Sequence, residues 1–160
     1  MKPGELLALL QDCYRDRLRL LLRHQAAAKH VVEFDFNNTY QYVIAREDTH
    51  LSWLRAAIED RGATAPEGEQ EPVLDASARS AAIMAEDARG AQAFVDAWRP
   101  RVETVTDARH KGMLRVILGE TLEHKRFFEQ GAAGQDDLLG RRMDAGARRG
   151  AVIDSRWVGD

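Results

Sequence analysis

Apolar residues recur at three- and four-residue spacing through four stretches of the chain, and the polar segments between those stretches differ in length. From residue 5 to 30, "ELLALLQDCYRDRLRLLLRHQAAAKH" sets Leu7, Leu10, Tyr14, Leu18, Leu21, Gln25 and Ala28 at helical spacing, with Pro3 favouring the start. A second period runs from Thr39 to Arg61 through Tyr40, Val43, Glu47, His50, Leu54 and Ile58. Asn37 or Asn38 is expected to cap it, and Gly62 to end it. "GATAPEGEQEP" then reads as one long loop, because two prolines and two glycines break any periodicity.

A third helix is expected from about Asp75 to Arg99, with Ile83, Asp87, Gly90, Phe94 and Ala97 on one stripe and Pro100 marking its end or a kink. The fourth is expected over residues 107–130. Its inward stripe is Met113, Val116 or Ile117, Glu120, Glu123 or His124, and Phe127 or Phe128. Four long helices with connections that are short, long and short predict an all-α bundle over residues 1–130 with a long crossover between the second and third helices. Residues 131–160 hold six of the 12 glycines, beside "GRRM" and "ARRG", with Leu138, Leu139, Val152, Ile153 and Trp157 as scattered apolar anchors. They read as an extended tail, partly ordered or packed on a neighbouring subunit.

Composition narrows the classes. The 23 basic and 26 acidic residues leave a net charge of −3 with no long like-charged run, so nothing directs the chain to nucleic acid or an anionic membrane. Cys13 is the only cysteine, which excludes an internal disulfide, and it is expected to pack as a small apolar residue. Charge interrupts the first apolar stretch too early for a signal peptide or membrane span, so a cytoplasmic protein is the expectation.

The chemistry lies in acids placed on apolar stripes. Glu47, Asp87 and Glu120 fall where a helix buries its face, and a buried carboxylate needs a cation, a proton or hydrogen bonds. Glu47 and His50 stand three apart, a spacing that lets a carboxylate and an imidazole share one ion. Glu120 follows Asp87 by 33 residues, which is expected to bring the two to a similar level across a hairpin.

"REDTHLSWLRAAIEDRGA" and "GETLEHKRFFEQ" resemble the two Glu-containing motifs of the ferritin-like superfamily, especially its rubrerythrin and bacterioferritin branches. The resemblance covers residues 5–130 as architecture, and its specific part is the two short motifs. It implies a carboxylate-bridged site for iron, one or two ions, with manganese as the other metal suited to those donors, and oxygen- or peroxide-linked redox chemistry. Carried over by position, Glu47 and His50 match the first motif, Asp87 the third helix's Glu, and Glu120 the second motif, with Glu123 or His124 as its further ligand. Two departures stand out. His124 comes one position late, and the equivalent position on the first helix holds Tyr14 where the family has a carboxylate. Tyr14 and Glu86 are therefore expected neighbours of the site, and His24, His30 and His110, near helix ends, are expected to be solvent-exposed or to interact with a helix terminus. An external electron donor is implied, since paired cysteines of a rubredoxin-type module are absent from the sequence.

A second reading belongs to another class: a metal-free ferritin-like bundle acting as a structural or interaction module, a homodimer or small homo-oligomer. It expects the inward acids to be satisfied by Arg17, Arg46, Tyr14 or Tyr40, and stability to be unchanged or improved when Glu47 and Glu120 are both replaced by alanine.

Overall fold

The computed structural model describes residues 1–140 of the 160. Four helices make up its regular structure: α1 (Pro3–His30), α2 (Phe34–Glu59), α3 (Ser80–Glu103) and α4 (Ala108–Ala132). The all-helical reading is correct at this level, and among the described residues no helix is long and apolar enough to cross a membrane. The tail expected over residues 131–160 lies outside the described residues from 141 onward. Its first part is fixed, since α4 runs to Ala132 and Leu138 is buried against the core.

Several boundaries move for local reasons. Pro3 sits in the first turn of α1, where its missing N–H costs nothing. α2 starts at Phe34, before the expected asparagines, because Asn37 points backwards: its Nδ2 donates to the Ala28 and Val31 carbonyls and closes the end of α1. Gly62, at φ +74°, terminates α2 in a left-handed conformation that favours glycine. α3 begins at Ser80 rather than near Asp75, since the Asp75 carboxylate accepts from the backbone and hydroxyl of Ser77 and holds a turn there. It also continues through Pro100 to Glu103. Asp107 caps α4 by accepting from the His110 backbone N–H.

Packing pairs α1 with α2 and α3 with α4, and joins the two hairpins through α1 against α3 and α2 against α4. Pairs across each interface run in opposite senses. Arg17 meets His50 while His24 meets Glu47; Asp12 meets Arg101 while Arg23 meets Asp87. Both neighbours of α1 are therefore antiparallel to it. The 20 residues 60–79 between α2 and α3 run up the side of α1, with Thr64 accepting from Gln11, Glu69 from Arg19 and Glu71 from Lys29.

The core divides into two apolar clusters. One gathers Leu10, Leu54, Ile58, Trp98 and Ile117 near the start of α1, and the other gathers Val31, Tyr40, Val43, Ile83 and Phe128 near the α1–α2 turn. Between them, α1, α2 and α4 bury polar side chains, and α3 lays Phe94 against Arg17.

Candidate functional site

Arg17, His24, Glu47, His50, Thr121 and His124 form this middle layer, and each is at most 1% exposed. The guanidinium of Arg17 is its hub. Nη1 donates to Thr121 Oγ1 at 2.9 Å and lies 3.6 Å from Glu47 Oε1, Nη2 donates to His50 Nδ1 at 2.8 Å, and the group stacks over the Phe94 ring at 5.3 Å. An arginine N–H only donates, so His50 Nδ1 accepts and the proton of a neutral His50 sits on Nε2, from which it donates to Glu120 Oε2 at 2.7 Å. Burial, and then the charge of Arg17, hold His50 down at about 4.

Glu47 faces His24 across the α1–α2 interface, with Oε2 2.9 Å from His24 Nδ1. Burial alone raises its carboxyl, but His24 and Arg17 together outweigh that and leave it below the usual carboxylate range. The same burial lowers the Arg17 guanidinium, against the opposing pull of Glu47. Arg17 and Glu47 thus each offset part of the other's cost of burial, with His24 the nearer partner of Glu47.

Glu120 lies at the edge of the layer. Arg46 holds both its oxygens in a two-point grip at 2.7 and 3.0 Å, and Trp53 covers the Arg46 guanidinium. Asp87 belongs to a different group: it accepts from Arg23 Nε at 2.8 Å and from the Tyr40 hydroxyl. The expected common level of Asp87 and Glu120 is corrected here. In an antiparallel hairpin residue numbers fall on one helix as they rise on the other, so a fixed offset marks no level. Gly131 faces Met84 and Arg115 grips Glu103, which sets Asp87 opposite the end of α4, roughly 12 Å along the axis from Glu120 at 1.5 Å per residue.

The remaining expected residues sort clearly. His124 is buried and Glu123 exposed, so the inward position of "ETLEH" is its histidine. Glu86 is an exposed partner of Arg23 at 3.2 Å. Tyr14 is buried away from Glu47, and its hydroxyl accepts from Arg55 at 2.9 Å. Cys13 is buried among apolar side chains, with its thiol pushed up to about 12 by desolvation. His24 is a correction: expected at the surface, it is 1% exposed and pairs with Glu47. Arg17, expected only as a partner for acids, is central to the layer. The signal is a strict alternation of three and four, Leu10, Tyr14, Arg17, Leu21, His24, which the more apolar neighbour Leu18 obscures.

The residues present do not fit a two-metal carboxylate centre. Both ring nitrogens of His50 are engaged, both oxygens of Glu120 are held by Arg46, Asp87 is turned to another group, and a guanidinium stands among Glu47, His50 and Thr121. Among the described residues no three His, Cys, Asp or Glu side chains converge as a metal ion requires. Five buried atoms of the layer nevertheless make no hydrogen bond within the protein: Arg17 Nε, His24 Nε2, Glu47 Oε1 and both nitrogens of His124. Burial, opposed by the nearby charge of Glu47, leaves His124 at about 3, so it is neutral. Comparison with protein-family models, with curated proteins and with solved structures finds no match for this chain.

Proposed function

We propose that the chain is a ferritin-like bundle that works without a metal, as a structural or interaction module forming a homodimer or small homo-oligomer. The observation that carries this reading is that protein groups already engage each inward carboxylate: Arg17 and His24 at Glu47, Arg23 and Tyr40 at Asp87, Arg46 and His50 at Glu120. Charge in the core is balanced by side chains, which is the work the resemblance would give to iron. The path of residues 60–79 along α1 supports the ferritin-like architecture, since it returns the chain to the end from which α3 starts.

Such a module acts through its surface. Val32 and Phe34, at the α1–α2 turn, are 82% and 78% exposed, and Val73 follows Glu71, which pairs with Lys29 near that turn. Three exposed apolar side chains at one end of the bundle are the surface best suited to a protein contact.

A second reading keeps iron, one or two ions, or manganese, in the core, with oxygen- or peroxide-linked chemistry and an external electron donor. The unpartnered atoms of His24, Glu47 and His124 favour it, because buried polar groups are ordinarily satisfied. Elemental analysis separates the two. Untagged protein, purified without chelators and reconstituted anaerobically with ferrous iron, carries no stoichiometric iron on the first reading. One or two irons per chain, lost in Glu47→Ala, would establish the second.

A further inference from the structure

The three most exposed large apolar side chains among the described residues, Val32, Phe34 and Val73, at 82%, 78% and 99%, lie at one end of the bundle. Val32 and Phe34 flank Glu33, whose carboxylate accepts from the Ser80 hydroxyl at the start of α3. Val73 precedes Leu74, which packs on the cluster that holds Val31. α4 returns the chain to this same end. Leu138 is buried in that cluster and Leu139 packs against it, so the chain leaves the bundle at residue 140 on the end that carries the apolar surface. Residues 141–160 follow, outside the described residues, and read "RRMDAGARRGAVIDSRWVGD". A stretch rich in glycine, alanine and arginine thus separates Leu139 from the apolar Val152, Ile153, Trp157 and Val158.

Val152 is 12 residues beyond Gly140. A flexible chain of that length spans about 20 Å on average and at most roughly 40 Å, and four helices with axes about 10 Å apart present an end of comparable width. A linker matched to its span holds its two ends at a millimolar effective concentration, so the chain's own segment meets the surface ahead of a partner present at micromolar concentration. Charge agrees with this. Residues 141–160 carry five arginines against three aspartates, whereas acids stand beside each apolar residue of the surface: Glu33 and Asp35 about Phe34, and Glu71 and Asp75 about Val73, with Lys29 paired to Glu71. We propose that residues 152–158 of this same chain cover Val32, Phe34 and Val73, so that the module carries its own occupant on the surface through which it acts. The inference rests on the reading of that surface as the protein contact. A partner, a second copy included, must displace the segment, and a surface covered about nine-tenths of the time binds it about tenfold more weakly.

The test compares amide and indole NMR shifts of the whole wild-type chain with those of a variant carrying Val152→Ser, Ile153→Ser and Trp157→Ser, over a range of protein concentrations. Shift changes are expected at residues 32–36 and 71–75, the same at every concentration, with the rest of the bundle unmoved. The reciprocal variant, Phe34→Ser with Val73→Ser, is expected to move the Trp157 indole resonance. No change in either direction overturns the covered surface. Changes that grow with protein concentration overturn it too, since a second copy is then the occupant. Sedimentation of the same samples keeps the module reading separate: the triple variant is expected to self-associate about tenfold more tightly than wild type. A variant that stays monomeric at every concentration contradicts the homo-oligomer, while the shifts still decide what covers the surface.

Discussion

Arg17 and Glu47 face each other at 3.6 Å with no exposure, so neither charge has water as an alternative partner. Removing Glu47 strands Arg17, and removing Arg17 leaves Glu47 with His24 alone. Arg17→Ala is therefore expected to destabilise the protein by about 3–5 kcal/mol in urea denaturation. Glu47→Ala strands Arg17 in the same way, which reverses the expectation that stability survives loss of Glu47 and Glu120. Glu120 alone is less critical, because its side chain is 24% exposed and Arg46 has access to solvent. His124 behaves oppositely to Arg17. Its two nitrogens make no hydrogen bond within the protein, so His124→Leu exchanges an unsatisfied ring for an apolar side chain, with an expected change between zero and about 1 kcal/mol of added stability. A loss of more than about 1 kcal/mol in denaturation would show that those nitrogens have partners.

Helices are legible in this sequence where stripe and cap agree, and less so where a polar residue serves a neighbouring element. Gly62 ends α2, where a glycine is expected past the last periodic residue. Asn37 looks like a helix start but closes the preceding helix through Ala28 and Val31, a role visible only once α1 and α2 turn back on each other. Asn37→Ala should then cost about 1 kcal/mol, measurable as a lower melting temperature, with the frayed end of α1 gaining amide exchange at Val31. The acids on apolar stripes were readable as buried, since Glu47 and Asp87 are both inside. Their partners were not, because register across an antiparallel hairpin depends on where the turn falls and not on an offset along the chain. Arg17 and His24 were hidden for a related reason: hydropathy favours Leu18 as the inward residue, whereas the three-and-four alternation of a packed helix selects Arg17.

Across the whole molecule, a polar layer between two apolar clusters makes stability depend on pH. Folded His50 and His124 titrate near 4 and 3 against 6.5 for the free side chain, so below pH 6.5 the unfolded chain binds protons that the folded one refuses. Stability must fall as pH drops from 6.5 toward 4. Glu47 and Glu120, both held below 4.5 in the fold, add to the loss from about that pH downward, since protonating them breaks pairs with Arg17 and Arg46. Urea midpoints are expected to be level above pH 6.5 and to decline below it, more steeply under 4.5. A midpoint unchanged down to pH 4 would mean that the histidines are not buried as neutral groups.

On the metal-free reading proposed above, a guanidinium balances the charge of this core. A double-mutant cycle on Arg17→Met and Glu47→Gln, measured by urea unfolding in excess chelator, tests it most directly. A favourable coupling between the two side chains of about 1–3 kcal/mol is expected with no metal available. Coupling indistinguishable from zero in chelator, together with wild-type stability that rises on adding ferrous iron, would contradict it.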